Sequence, residues 1–129
     1  MKSLLFLHIT FMCLCILSGG LSVLATIKKP KLWFKKHKLS AFFCAIFAFI
    51  AFSLIFIYKI FVQFPHFSSL HSISGLITFL LIIANLFLGL FRKKNNNVSR
   101  KIHQILGIFL FFVLIFMAIS GLLRFLQLN

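Results

Sequence analysis

In 129 residues, 62% of them hydrophobic and 20 of them Phe, the chain carries 14 Lys and Arg but no Asp or Glu. So few polar groups could not cover that much apolar surface in water, which points to lipid as the solvent. The missing carboxylates exclude a carboxylate general acid, an Asp or Glu metal ligand and an acidic proton relay, and leave five His as the side chains that titrate near neutral pH.

The first apolar run is Ser3 to Ile27. Its Met1-Lys2 start is compatible with a signal peptide. Against that, the run is long enough to span a bilayer, and its C-terminal flank (Lys28, Lys29, Lys31) is more basic than its N-terminal flank, the reverse of a signal peptide. The basic segment KKPKLWFKKHK follows, where Pro30 breaks any continuous helix and Trp33 suits an interfacial anchor. The second run ends at Phe61. The third, reached through Gln63-Phe64-Pro65, is HFSSLHSISGLITFLLIIANLFLGLF, and the fourth follows the polar turn RKKNNN. Spans of about 3–27, 38–61, 67–91 and 98–126 are expected, making residues 1–129 one all-α domain. The expected fold is an integral membrane four-helix bundle, antiparallel and up-down-up-down.

The cations sit in short clusters between these runs, which reads as membrane topology and not as a nucleic-acid face. Lys28, Lys29, Lys31, Lys35, Lys36 and Lys38 lie in one connector, and Arg92, Lys93, Lys94, Arg100 and Lys101 in another. The opposite face holds Lys2, Lys59 and Arg124. This bias places both basic connectors in the cytoplasm and both termini on the exoplasmic or lumenal side.

Each predicted helix carries one His near its own N-terminal end. His8 and His71 then share an exoplasmic layer, and His37 and His103 a cytoplasmic one. Two layers of two histidines on alternate helices is the arrangement that bis-histidine haem ligation needs, with His8 and His71 on one iron and His37 and His103 on the other. The spacing from His8 to His71 is 63 residues and from His37 to His103 is 66. The chain thus reads as two hairpin repeats enclosing two haems. Gly75 follows His71 and Gly107 follows His103 at i+4, on the same helix face, where a small residue leaves room for a porphyrin edge or lets bare helices pack closely. Cys13, Cys15 and Cys44 fall inside spans, and there is no C-x-x-C-H, so two non-covalent haem b groups are expected. His66 reads equally as a connector residue and as a contact to a haem propionate or a substrate.

These residues resemble the eukaryotic cytochrome b561 transmembrane domain. The family's S-L-H-S-W motif, followed by a glycine, is similar to Ser69-Leu70-His71-Ser72-Ile73 with Gly75. Its H-x-x-x-M resembles His8 to Met12, and its last haem helix resembles Ile102-His103 with Gly107 and Gly121. Trp33-Phe34-Lys35-Lys36-His37 looks like a W-F-x-x-H found in some members. The chain departs from the family in having the central four helices where many members have six. It also has Ile73 in place of Trp and Asn85 where Gln is common, and LSVLATIKK matches the ascorbate-side motif weakly.

The resemblance implies a transmembrane oxidoreductase, either an ascorbate-dependent or a ferric reductase. One electron would pass from a cytoplasmic anionic reductant such as ascorbate to exoplasmic or lumenal monodehydroascorbate or ferric chelate. Lys35, Lys36 and Lys38, with His66 at the opposite face, are the candidate substrate contacts, and a homodimer in the bilayer is compatible with this composition. Two other readings compete. A cofactor-free membrane scaffold or assembly protein explains the hydrophobicity and charge but leaves the matched histidines unexplained. A haem subunit feeding a partner protein fits the short loops.

Overall fold

The computed structural model describes residues 2–63, 65–66, 69–91 and 97–127. Among these residues it has four helices: α1 Lys2–Lys28, α2 Trp33–Phe61, α3 Leu70–Leu90 and α4 Asn97–Gln127. All four are long and apolar enough to cross a membrane. Arg92, Lys93 and Lys94 of the second basic connector lie outside the described residues.

The start of α2 differs from expectation. It begins at Trp33, so the segment Trp33–Lys38 is a helical turn and a half and not connector. The break is confined to Lys29–Leu32. Pro30 has no N–H to continue α1, Lys29 and Leu32 take the left-handed φ values 43° and 63°, and the Trp33 N–H closes the turn on the Pro30 carbonyl at 2.8 Å. α3 starts at Leu70, three residues after the expected 67. Ser69 is the N-cap, extended at φ −136°, and its hydroxyl accepts from the Ser72 N–H at 3.3 Å.

Around the bundle, α1 packs most closely on α2 and α3 on α4. The α1–α4 and α2–α3 sides are looser, and the backbones of the diagonal pairs, α1 with α3 and α2 with α4, stay more than 8 Å apart from Cα to Cα among the described residues, so these pairs meet only through side chains. The close α1–α2 packing follows from small side chains. Cys15, Ser18 and Ser22 on α1 and Cys44, Ala45, Ala48 and Ala51 on α2 are all buried, and small residues let helix axes come together where lipid gives no hydrophobic drive. Large apolar side chains such as Phe49, Phe112 and Phe116 point outward, as a lipid-facing surface requires.

The burial pattern carries the hairpin repeat. An offset of 63 takes buried Cys15 to buried Thr78, and an offset of 66 takes buried Cys44, Ala48 and Ala51 to buried Leu110, Leu114 and Met117. Midway along the bundle lies an apolar core of Cys15, Cys44, Ala45, Ala48, Ile82, Leu110 and Leu114. The Cys15 and Cys44 sulfurs meet there at 3.5 Å.

Candidate functional site

A histidine inside a membrane helix is costly unless its ring nitrogens are satisfied. In each of the four ring placements, Nδ1 is bonded to the other helix of the same hairpin. His8 Nδ1 is 2.8 Å from the Ala51 carbonyl. His37 Nδ1 lies 2.8 Å from Ser22 Oγ and 3.2 Å from the Ser22 carbonyl. His71 Nδ1 lies 3.0 Å from Ser120 Oγ. His103 Nδ1 lies 3.0 Å from Asn85 Oδ1 and 3.1 Å from the Asn85 carbonyl.

The partners fix the proton. A carbonyl oxygen only accepts, so His8, His37 and His103 donate through Nδ1–H. The Ser120 hydroxyl spends its own hydrogen on the Met117 carbonyl at 3.0 Å, so it too accepts from His71. All four imidazoles therefore carry a proton on Nδ1, which in the neutral ring leaves the lone pair on Nε2. That is the tautomer in which a metal-ligating histidine is normally held by its surroundings.

The acceptors follow a register that the sequence reading did not draw. Ser22 is fourteen residues after His8, Ala51 fourteen after His37, and Asn85 fourteen after His71. Ser120 stands seventeen after His103, but the Met117 carbonyl to which it donates belongs to the fourteenth. Three of the helices thus provide, fourteen residues beyond their own histidine, the acceptor for the hairpin neighbour's, and α4 provides it through Ser120, three residues later. Fourteen residues rise about 21 Å, which is the separation of the two histidine levels along the bundle.

At one end the structure brings the expected pair together: the His37 and His103 rings stand 5.9 Å apart between centroids, with planes at 76°. Two imidazoles that bind one metal ion from opposite sides through bonds of about 2 Å place their centroids about 6 Å apart. The pair lies in the wall of a cavity of about 930 Å³ to which all four helices contribute, a volume in the range that holds a prosthetic group. Lys29, Lys35, Lys38 and Arg100 line it as well, whereas Lys36 does not. At the other end, His8 lies level with Ala51 and His71 with Ser120.

Two glycines to which the sequence reading gave no clearance role, Gly89 and Gly121, make room for the rings. A Cβ on Gly89 would stand 2.9 Å from His103 Cε1, and one on Gly121 would stand 3.0 Å from His71 Cε1. A side chain at Gly89 would force the His103 ring to shift, and one at Gly121 would require the His71 ring to give by a few tenths of an ångström. Of the two glycines picked out by i+4 spacing, Gly107 lines the cavity and faces the Asn85 amide, with 3.3 Å left for a Cβ. Gly75 faces Met117 Cε at 3.7 Å, an ordinary packing distance.

His66 is held differently. Its ring stacks on Phe56 at 4.3 Å and 17°, and its carbonyl accepts from Lys59 Nζ. Lys59 also donates to Ser72 Oγ at 2.7 Å, and Ser72 in turn meets the Ser69 hydroxyl at 2.8 Å. The Ser69-Leu70-His71-Ser72 run therefore supplies a helix cap, a histidine and a lysine anchor within four residues.

The family model of eukaryotic cytochrome b561 matches residues 5–127. No curated protein and no solved structure matches the chain. The chain belongs to the eukaryotic cytochrome b561 family, whose members are transmembrane oxidoreductases that bind haem b and transfer electrons across membranes.

Proposed function

We propose that this family member moves single electrons across the bilayer through two bis-histidine haem b groups. The donor is a cytoplasmic reductant of ascorbate type, and the acceptor is exoplasmic or lumenal monodehydroascorbate or ferric chelate. The observation that carries the reading is the set of four Nδ1–H histidines on diagonal helices, in two levels about 21 Å apart. Haem, when bound, supplies the one-electron chemistry, and the chain supplies position, potential and insulation.

Residues 1–129 act as one transmembrane domain. His37 and His103 hold the group at the cavity end, and His8 and His71 hold the other. Gly107 and Gly75, one turn after a ligand on the same helix, leave clearance for a ring edge. The apolar core between the levels keeps water and its polarity out. Lys35 and Lys38 in the cavity wall, with Lys36 beside them, attract an anionic reductant, and His66 contacts substrate at the far face. The excess of Lys and Arg in the two basic connectors puts the His37 end in the cytoplasm.

A visible spectrum of the purified chain, oxidised and dithionite-reduced, tests this. A b-type alpha band with about two haems per chain is expected for two bis-histidine sites. The absence of that band overturns the reading. Reduction by ascorbate then separates a donor-fed oxidoreductase from a subunit that takes its electrons from a partner protein.

A further inference from the structure

The four Nδ1–H acceptors occupy equivalent places in the repeat but differ chemically. His8 donates to a main-chain carbonyl, that of Ala51. His37 and His103 each share their proton between a main-chain carbonyl and a side-chain oxygen, the Ser22 hydroxyl in one case and the Asn85 amide in the other. Ser22 and Asn85 correspond under the offset of 63 that relates α1 to α3. At the place where α4 would repeat the Ala51 carbonyl, Ser120 is interposed, taking the His71 proton and passing its own to Met117.

Such partners do more than orient a ring. The more strongly an acceptor pulls on Nδ1–H, the more electron density Nε2 carries, and the more the ferric state is favoured over the ferrous. A hydroxyl that is itself donating becomes a better acceptor, because hydrogen bonds in a chain polarise one another. A main-chain carbonyl cannot be altered by substitution, but Ser22, Asn85 and Ser120 can.

We propose that Ser22 and Asn85 set the redox potential at the His37/His103 end and Ser120 that at the His8/His71 end. All three are positioning residues that act through the histidines, and the two ends are tuned independently. This assignment rests on the haem reading above. Each hairpin then carries one tuning position for either end or, in the first hairpin, a fixed carbonyl at one of them.

The test is a redox titration of the purified, haem-loaded chain, with the two transitions assigned by which one is lost in His103→Ala. Asn85→Leu removes the side-chain acceptor and raises the midpoint of the His37/His103 transition. A tenfold change in the ferric-to-ferrous balance reads as about 59 mV for one electron. Asn85→Asp strengthens the acceptor and lowers the same midpoint, while Asn85→Gln stays close to the parent. Ser120→Ala raises the other transition alone, and Ser22→Ala raises the first.

A purely structural role for Asn85 does not give opposite signs for Leu and Asp. Shifts of the same sign in those two variants, or equal movement of both transitions, overturn the assignment. If Asn85→Leu fails to fold, Asn85→Asp and Ser120→Ala still decide through the transition each one moves. An unsubstituted chain without haem overturns the haem reading and this assignment with it. Haem bound with unmoved potentials overturns this assignment alone.

Discussion

The two ends of the bundle are built from the same repeat and finished in opposite ways. At the His37/His103 end the helices stand apart around a cavity of about 930 Å³ with Lys29, Lys35, Lys38 and Arg100 in its wall. At the other end the chain turns back on itself, as Lys59 holds the Pro65 and His66 carbonyls and the Ser72 hydroxyl while the His66 ring lies on Phe56. One end presents cations to whatever approaches, whereas at the other Lys59 is spent on its own connector. Equivalent helices therefore do not imply equivalent traffic. The histidine geometry belongs to the repeat, and access belongs to the segments that interrupt it.

That contrast can be broken most severely at the ligands. His103→Ala is expected to empty the cavity end and His71→Ala the connector end, each lowering haem from about two per chain to about one in a pyridine haemochrome assay. If either substitution removes both haems, the ends are not independent sites. A smaller loss is expected from Gly89→Ala, whose added methyl would sit 2.9 Å from His103 Cε1. The ring is tied at Nδ1 by Asn85 and has little freedom to retreat, so haem retention should fall at the cavity end and stay intact at the other, read by the loss of one redox transition.

Lys59→Met sharpens the comparison from the opposite side. It removes a charged donor shared among three oxygens and should lower stability by about 1–3 kcal/mol in a reversible unfolding measurement in detergent. The His37/His103 transition should not move. A larger loss, or a change at the cavity end, would show that the connector supports the whole bundle and not one face. The mildest effects are expected from Lys35→Gln and Lys38→Gln, which should raise KM for an anionic reductant a few-fold at low salt and lose that effect as ionic strength rises. Lys36→Gln, outside the cavity wall, should do less.

Much of this was legible in the chain before any coordinates. Four apolar runs, the basic bias and one histidine per run set out the helices and the family. The spacings of 63 and 66 announced the repeat that burial of Cys15 with Thr78 and of Ala48 with Leu114 then displays. What stayed hidden depends on contact between helices. Gly89 was passed over, and Gly121 was noted in the resemblance without this role, because clearance was sought one turn along the histidine's own helix, while the crowding comes from the neighbouring one. Ser22, Asn85 and Ser120 are single polar residues in apolar runs. A lone hydroxyl can satisfy itself on its own helix, as the Ser18 hydroxyl does on the Leu14 carbonyl at 2.8 Å. The signal that distinguishes them is their distance from the preceding histidine, fourteen residues in two cases. The early start of α2 was missed because six residues of Trp, Phe, Lys and His read as a basic connector, although the break needs only Lys29–Leu32.

The repeat also bears on the connector between α2 and α3. Every Nδ1–H bond closes inside one hairpin, whereas each proposed histidine pair draws one member from each hairpin. A hairpin is therefore self-sufficient in orienting its imidazoles and incapable of completing a pair. The connector over residues 62–69 carries none of the four histidines. Its contribution is to keep the two halves at an effective concentration of about millimolar, as a short tether does. In that sense the chain is a dimer of its own halves, and each proposed site is the interface between them.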